Sequence, residues 1–253
     1  MINSKKKKKV LKTRKNRNIK CVLVGNGSTG RLNKINKKIK NLNKKNNKNK
    51  IWKNKGKTSL LLNFLYKECP KEKVPKIIDP AEIKITVDEI PVTLTLFDTY
   101  GIEDFDKLRP LSYPKTDVFI ICSSVIYLGS FGDIVHKWTP EIKHYCPKAK
   151  IIIVATKTEL RNDPTTLQRM AERGIEPVSY EHGLSIQKQI GAEKYLECSS
   201  YNQENISLVF EEAVRTVLQG KQKDSKKSCL VFWKQKKKKY LKNHFFFYFL
   251  KRK

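Results

Sequence analysis

The sequence predicts a doubly wound α/β fold, with a mostly parallel six-stranded sheet and one antiparallel edge strand. Two observations lead to this prediction. Residues 117–125 and 150–155 are almost continuously apolar, as parallel strands are when helices cover both faces of the sheet. Helical patterns separate the strand-like stretches along the chain, which is typical of this class. Ligands of such folds bind at the carboxyl ends of the strands, so candidate site residues are expected there.

The remaining elements follow from the spacing of the apolar residues. The first strand covers residues 19–24 and runs into glycines, and residues 58–66 have the leucine spacing of a helix. Alternating apolar and polar residues predict strands at 82–88 and 92–96, joined by a turn at 88–91 into a hairpin with one buried face. Helices are predicted at 131–145, 181–190 and 205–218.

The formal net charge of +30 is concentrated in three segments. Residues 1–20, 31–56 and 221–253 hold 34 of the 54 Lys and Arg residues and a single acidic residue. The rest of the chain therefore carries −3, the charge of an ordinary globular domain. A basic nucleic-acid-binding protein is disfavoured, because the domain itself is slightly acidic and lacks a pattern of stacking aromatic residues.

Location and redox state follow from what the sequence lacks. The N-terminal lysines precede no apolar run of the kind a secretory signal has, and no stretch has the length of a membrane span. The six cysteines form no CxxC pair and have no histidine at metal-ligand spacing, so we expect reduced structural thiols in an intracellular protein. Cys229 is an exception that is considered below.

A glycine-rich sequence follows the first strand and is interrupted. Without residues 31–56 the chain would read GNGSTGKT, which matches the GxxxxGK[ST] phosphate loop between a strand and a helix. Backbone N–H groups of such a loop surround the phosphates, the lysine neutralises their charge, and the threonine hydroxyl binds Mg²⁺. The candidate phosphate-binding residues are Gly25, Asn26, Gly27, Ser28, Thr29, Gly30, Gly56, Lys57 and Thr58.

Further stretches resemble the Rho/Rac family of small GTPases. Residues 98–101 (DTYG) are similar to the family's DTAG, and LRPLSYP follows at 108–114. Residues 156–159 (TKTE) stand where the family has TKxD, and residues 197–200 (ECSS) stand where it has ECSA. Residues 160–180 resemble the helical insert that separates Rho-type proteins from other Ras-like ones. The resemblance covers residues 19–220 and implies a P-loop small GTPase domain with a Rho-type insert.

The resemblance also implies ligands and residue roles. GTP or GDP and Mg²⁺ are the expected ligands, with Thr58 and Asp98 on the metal side and the N–H of Gly101 at the γ-phosphate. Glu159 would accept the N1–H and N2–H of guanine. The implied nucleotide-binding residues, besides the phosphate loop, are Asp98, Thr99, Tyr100, Gly101, Ile102, Thr156, Lys157, Thr158, Glu159, Ser199 and Ser200.

The catalytic and switch positions depart from the family. Ile102 stands where the family has the glutamine that positions the attacking water, so we expect GTP hydrolysis at or below the Ras baseline of about 10⁻⁴ per second. Lys76 stands where a threonine would bind Mg²⁺ and sense the γ-phosphate, which puts ordinary switching in question. The implied effector region comprises Lys73, Val74, Pro75, Lys76, Ile77, Ile78, Asp79, Pro80 and Ala81.

The base-binding positions depart as well. Cys69 stands where an aromatic residue stacks on guanine, and Glu159 is one methylene longer than the family's aspartate. A displaced bidentate carboxylate costs about 1 to 3 kcal/mol. We therefore expect weaker nucleotide binding and faster exchange than in the family.

The interruption of the phosphate loop has two explanations. Residues 31–56 are rich in Lys and Asn, and they are either a disordered loop or the translation of an unspliced intron, since Lys, Asn, Ile and Leu all have codons made only of A and T. Closing such a loop costs about 3 kcal/mol, so folding is expected to survive. Phosphate binding is expected to suffer, because the N–H groups of Gly30 and Lys57 belong to one nest when the two are neighbours.

The C-terminal segment predicts a membrane contact. A polybasic stretch precedes Cys229, and residues 229–232 (CLVF) resemble a CaaX prenylation box, although such a box must be terminal and the sequence continues to residue 253. One prenyl chain and a basic patch together attach a protein to an anionic leaflet. The expected domains are a basic extension (1–18), a GTPase domain (19–220) and a polybasic tail (221–253).

The sequence thus predicts a Rho/Rac-like GTP-binding switch with impaired hydrolysis, acting in regulation of the actin cytoskeleton at the cytoplasmic face of the plasma membrane. Exchange factors, GTPase-activating proteins, GDP-dissociation inhibitors and Rho-type effectors are the partners that the resemblance implies. The alternative is a non-hydrolysing pseudo-GTPase that acts as an interaction scaffold.

Overall fold

One mixed sheet supports the described part of the molecule. The computed structural model describes residues 17–27, 56–67 and 78–220. The six strands lie in the order β2-β3-β1-β4-β5-β6, in which β2 and β3 are antiparallel and all other neighbours are parallel. The strands are β1 (Arg17–Gly25), β2 (Ala81–Val87), β3 (Ile90–Phe97), β4 (Val118–Ser124), β5 (Lys150–Thr156) and β6 (Lys194–Cys198).

Helices connect and cover the strands. The α-helices are α1 (Lys57–Tyr66), α2 (Leu128–Asp133), α3 (Thr139–Tyr145), α4 (Pro164–Ala171), α5 (Tyr180–Ile190) and α6 (206–220). A π-helical turn, Ile134–Trp138, joins α2 to α3. Short 3-10 turns occur at Glu103–Phe105, Arg109–Ser112 and Thr158–Leu160.

The apolar strands are explained by burial on both faces of the sheet. Val22 and Val24 on one face belong to a cluster with Phe119, Phe131 and Trp138. Phe64 of α1 stacks on Phe210 of α6, with ring centroids 4.0 Å apart. Because both faces are covered, the central strands can be apolar at consecutive positions, as the sequence predicted.

The strand order creates a crevice at the carboxyl end of β1. The chain passes from β1 to one neighbour, β3, and later to the other neighbour, β4, on the opposite side. Loops that leave the carboxyl ends of the parallel strands on either side of such a point separate, and ligands of α/β folds bind between them.

Three features differ from the sequence-based expectation. Strand β1 begins at Arg17 instead of Ile19, because Arg17 and Asn18 still pair with β3. The hairpin turn is confined to Asp88 and Glu89, both at positive φ, and the expected turn residue Pro91 lies in β3. Pro91 precedes the residues of β3 that pair with β1, so its missing N–H leaves no β1 carbonyl without a donor.

The last strand and the central helix also differ from the sequence-based expectation. The central helix comprises α2, the π-helical turn and α3 (residues 128–145). Strand β6 is five residues long, and its apolar alternation is too short to have been recognised as a strand. The helix expected at 131–145 begins at Leu128 and contains the π-helical turn. An i→i+5 hydrogen bond from the N–H of Thr139 to the carbonyl of Ile134 defines that turn, and apolar spacing does not predict it.

The chain divides into two compact units, Met1–Arg215 and Thr216–Lys253. Residues 216–220 are the described part of the second unit, and they are helical. None of the helices in the described part of the chain combines the length and hydrophobicity that a membrane span needs. The described cysteines, Cys21, Cys122, Cys146 and Cys198, are all free thiols, as expected.

Candidate functional site

The two halves of the interrupted glycine-rich loop meet at the carboxyl end of β1. The buried ammonium group of Lys57, at the start of α1, donates to the carbonyl oxygen of Gly25 at 2.5 Å and to that of Asn26 at 3.4 Å. Gly25 has φ +134°, and a Cβ there would lie 2.2 Å from the carbonyl oxygen of Cys122, so only glycine fits. The lysine of the second half is therefore held against the backbone of the first half.

An oxygen pair lies next to this lysine. The hydroxyl of Thr58 donates to the Oδ2 atom of Asp98 at 2.7 Å, and both side chains are buried. Burial raises the pKa of Asp98, while the hydrogen bond from Thr58 and the charge of Lys57 oppose the rise. Burial lowers the pKa of Lys57, and the charge of Asp98 opposes that shift. These hard oxygen donors suit Mg²⁺, so the residues present fit the expected metal.

The loop after β3 lies directly against the first half of the glycine-rich loop. The N–H of Gly27 donates to the carbonyl of Gly101 at 3.0 Å. A Cβ on Gly101 would lie 2.2 Å from the carbonyl oxygen of Gly25, and a Cβ on Gly27 would lie 3.0 Å from the Cγ1 atom of Ile102. The side chain of Ile102 thus stands beside the phosphate-loop backbone, where it presents only carbon atoms.

Neighbouring residues hold this loop in place. The hydroxyl of Thr99 donates to the carbonyl of Leu23 at 2.6 Å, and its N–H donates to Asp98. The ring of Tyr100 stacks on Phe105, with centroids 4.2 Å apart. The loop that begins with Asp98 is therefore fixed to β1 by hydrogen bonds and to the following 3-10 turn by ring contact.

A second group of predicted residues lies at the carboxyl ends of β5 and β6. The hydroxyl of Thr156 donates to the carbonyl of Ser123 at 2.8 Å, and it would lie 3.3 Å from a Cβ on Gly56. Lys157 adopts φ +66°, and burial lowers its pKa to about 8, opposed by the charge of Glu159. The TKTE loop therefore adjoins the start of α1.

Two buried oxygen atoms of this group lack a hydrogen-bond partner among the described residues. They are the Oε2 atom of Glu159 and the Oγ atom of Ser200. A buried polar atom without a partner is costly, and an acceptor of this kind is suited to the N–H groups of a bound base. The Ser200 carbonyl accepts a hydrogen bond from Asn63 of α1 at 2.8 Å, which ties the β6 loop to the lysine-bearing helix.

The sequence model of the Ras family matches residues 52–219. The chain belongs to the Ras family. Ras-family proteins bind guanine nucleotides, so this chain is a small GTP-binding signalling protein, and its mixed six-stranded sheet is that of a P-loop GTPase. Membership also indicates that it works with regulators and effectors in general.

Ras-family membership gives the two groups of residues a common ligand. The group around Lys57 and Asp98 lies where the phosphates of GTP or GDP are expected, and the group around Glu159 and Ser200 lies where the base is expected. The described members of the predicted site come together at one edge of the sheet. Other residues discussed in the sequence analysis lie outside the described part of the chain: Ser28, Thr29, Gly30, residues 31–55, Cys69, residues 73–77 and Cys229.

Part of the effector region is described. The backbone of Ile78 donates a hydrogen bond to Asp98, Asp79 and Pro80 are exposed, and Ala81 begins β2. The end of the predicted effector region therefore contacts the same carboxylate as Thr58 does.

The sequence reasoning missed the residues that hold the site from outside. Asn63 is one of them, and a buried arginine, Arg109, is another: its guanidinium binds both oxygens of Glu141, at 2.9 and 2.6 Å, and the carbonyl of Tyr100 at 3.1 Å. Arg161 binds Glu197 through two parallel hydrogen bonds of 2.7 and 2.6 Å. A buried or paired charge is a recognisable signal, but the partners are too distant in sequence to be predicted from one chain.

Proposed function

We propose that this chain is a Rho/Rac-type GTP-binding switch that hydrolyses GTP slowly and acts in regulation of the actin cytoskeleton. The LRPLSYP and ECSS stretches and the helix α4 between β5 and α5 support the Rho/Rac assignment. The observation that carries the nucleotide site is the meeting of Lys57, Thr58 and Asp98 at the carboxyl end of β1.

The polar groups account for nucleotide binding. The Lys57 ammonium lies at the carbonyl groups of Gly25 and Asn26, from which it can reach a phosphate, and the partly free acceptor of Glu159 can take the two N–H groups of guanine. When bound at Thr58 and Asp98, Mg²⁺ would neutralise phosphate charge. The backbone N–H groups at the start of α1 would donate further hydrogen bonds to the phosphates.

Slow hydrolysis follows from Ile102. An attacking water needs a hydrogen-bonding partner that orients it toward the γ-phosphate, and the sec-butyl side chain of isoleucine has none. We expect intrinsic turnover at or below about 10⁻⁴ per second, with little acceleration by an arginine supplied by a GTPase-activating protein.

Partners and location belong to the same proposal. Exchange factors, GTPase-activating proteins, GDP-dissociation inhibitors and Rho-type effectors are the proposed partners, with residues 73–81 as the effector surface. We place the protein at the cytoplasmic face of the plasma membrane, held by its polybasic segments and by prenylation at Cys229 if the chain is processed there.

A pseudo-GTPase scaffold is the second candidate, and the position of Ile102 against Gly27 favours it. Such a protein would bind GTP and hold one conformation without turnover. The two functions share the pocket and differ only in the fate of the γ-phosphate.

Nucleotide content and single-turnover hydrolysis separate the candidates. The full chain and a variant lacking residues 31–56 are purified, their bound nucleotide is released and quantified, and loss of GTP is followed with Mg²⁺ present. Slow conversion to GDP supports the switch, and retained GTP without conversion supports the scaffold. Lys57→Met is the control that should bind no nucleotide; a wild-type chain that binds none would overturn both.

A further inference from the structure

Asn26, in the first half of the glycine-rich loop, forms hydrogen bonds with two side chains of the central helix. Its Nδ2 atom donates to the Oδ2 atom of Asp133 at 2.5 Å, and its Oδ1 atom accepts from the Nε1 atom of Trp138 at 2.8 Å. We propose that Asp133 and Trp138 are positioning residues that hold Asn26, and with it the phosphate loop, in the geometry that binds the nucleotide diphosphate. The inference rests on the proposed nucleotide-binding function.

The π-helical turn explains how one helix supplies both contacts. In a regular α-helix, residues five apart are rotated by about 140° and face different sides. Residues Ile134–Trp138 form a π-helical turn, whose wider winding brings residues five apart toward the same side. Asp133 and Trp138 can therefore both reach the single amide of Asn26. Turns of this kind occur frequently at functional sites.

The indole of Trp138, which donates to Asn26, is itself held in place by its neighbours. Trp138 is 1% exposed, and the guanidinium of Arg109 lies 4.5 Å from its ring centroid. The same guanidinium donates to the carbonyl of Tyr100, in the loop that approaches the γ-phosphate position. Asn26 is thus connected to the loop after β3 through the indole of Trp138 and the guanidinium of Arg109.

The hydrogen bonds of Asn26 matter because the loop is interrupted in the sequence. In an uninterrupted loop, the peptide chain itself carries the first half into the lysine-bearing helix. Here residues 31–56 stand between Gly30 and Lys57 in the sequence, so contacts that join the first half to the rest of the domain gain weight. Lys57 holds the backbone carbonyl of Asn26, and Asp133 and Trp138 hold its side chain. Asn26 is the one residue that both sets of contacts share.

A charge exchange between Asn26 and Asp133 tests the proposal in the full-length chain. Asn26→Asp places two carboxylates in the position of a 2.5 Å hydrogen bond, and we expect fluorescent GDP to dissociate about tenfold faster. Asp133→Asn keeps an acceptor for Asn26 and should have a small effect. The double variant restores one carboxylate and one amide, and its rate should return to within about twofold of wild type.

The ³¹P resonance of the β-phosphate of bound GDP distinguishes positioning from general destabilisation. The Asn26→Asp variant should shift this resonance, and the double variant should return it to the wild-type position. An unshifted resonance, or a double variant no better than Asn26→Asp, would overturn the inference. If Asn26→Asp does not fold, Trp138→Phe removes the indole N–H together with part of the ring and should still accelerate dissociation; an unchanged rate would overturn the inference.

A matched control lies on the surface, where Glu193 pairs with Lys150 at 2.6 Å. Glu193→Gln should leave both the dissociation rate and the ³¹P resonance unchanged. A wild-type chain that binds no GDP would overturn the proposed function and the inference with it. A wild-type chain that binds GDP, with Asn26→Asp indistinguishable from it, overturns the inference alone.

Discussion

Single residues on the two sides of the site differ in how fully their polar groups are paired. On the phosphate side, Lys57 donates to the carbonyls of Gly25 and Asn26, and Thr58 donates to Asp98. On the base side, the Oε2 atom of Glu159 is buried without a described partner. The phosphate side can thus hold its shape by itself, whereas the base side gains a hydrogen bond when guanine binds.

Replacement of Glu159 by Gln tests the base side. The amide presents N–H donors to the N1–H and N2–H donors of guanine, so the dissociation constant for GDP should rise about tenfold or more. Fluorescence titration with labelled GDP measures the change. Glu193→Gln makes the same chemical change at an exposed ion pair and should have no effect. Equal affinities of wild type and Glu159→Gln would contradict this role.

Replacement of Ile102 by Gln tests the cause of the proposed slow hydrolysis. The new amide can accept from and donate to an attacking water, so the single-turnover rate should rise at least about tenfold. Ile102→Leu keeps the side chain apolar and should hydrolyse GTP at the wild-type rate. If the Gln variant is no faster than the Leu variant, another feature of the site limits turnover.

Sequence motifs predicted the candidate site residues at the carboxyl ends of the strands but not the residues that support them. Lys57, Asp98 and Thr156 follow strands or open a helix in recognisable patterns, and they lie where expected. Asp133 and Trp138 contact Asn26 across more than 100 residues of sequence. A single sequence carries no signal for such a contact, because the spacing of apolar residues in the helix would be the same without it.

Among the elements, the loop after β3 and the central helix are joined by a buried charge cluster. The side chain of Arg109 is fully buried, and Glu141 of α3 is 15% exposed. Tyr113 and Asp106 also bind this pair, and Lys137 of the π-helical turn binds Asp106. Two elements that are separate in sequence are therefore held together by one guanidinium.

Loss of Arg109 should be costly. Arg109→Gln leaves the carboxylate of Glu141 buried without its cation, and we expect the free energy of unfolding to fall by about 3 kcal/mol. Urea denaturation followed by circular dichroism measures the loss. The double variant Arg109→Met, Glu141→Leu replaces the pair by apolar groups and should be more stable than Arg109→Gln. The reverse order would show that the charge pair itself stabilises the contact.

The loop after β5 and strand β6 are joined by the ion pair of Arg161 and Glu197. Burial alone would raise the pKa of Glu197, but hydrogen bonds from Arg161 and Tyr195 lower it below its ordinary value of 4.5. A carboxylate with a lowered pKa stabilises the fold above the unfolded-state pKa. That stabilisation is lost as the pH falls through the folded-state pKa.

Arg161→Gln should therefore have a pH-dependent effect. At neutral pH we expect a loss of about 1 to 2 kcal/mol of unfolding free energy, because two charge-assisted hydrogen bonds disappear. The difference from wild type should shrink at a pH far enough below the ordinary value of 4.5 to protonate Glu197 despite its lowered pKa. Urea denaturation at the two pH values measures it, and a difference that stays constant would contradict the assignment.

The element pattern was largely predictable, and its limits have physical causes. Long apolar runs and clear alternation located five of the six strands to within about two residues. Strand β6 was missed because five residues give too short a pattern. The π-helical turn was missed because it changes the hydrogen bonding of a helix without changing which residues are apolar.

At the level of the whole molecule, charge and fold are separate. The Ras-family match covers residues 52–219, whereas most of the positive charge lies in residues 1–20, 31–56 and 221–253. A slightly acidic nucleotide-binding domain is thus flanked and interrupted by basic segments. These segments are suited to an anionic surface, and among the described residues only 17–20 of them belong to the sheet.

The basic ends should confer binding to anionic vesicles. We expect the full chain to sediment with vesicles that contain phosphatidylserine at low salt and to be released as salt screens the attraction. A variant restricted to residues 17–220 should bind more weakly, and neutral vesicles serve as the control. Binding that is insensitive to salt would contradict an electrostatic origin, and equal binding of the two proteins would contradict a role of the basic ends.

The meeting of Lys57 with the carbonyls of Gly25 and Asn26 has a practical consequence. Lys57 bonds the first half of a loop whose second half follows residues 31–56 in the sequence, and both halves belong to the expected phosphate site. A fluorescent domain spliced between Gly30 and Gly56 would thus be anchored next to the expected ligand. Its emission would report whether the pocket is filled, which makes this junction a natural place to build a sensor.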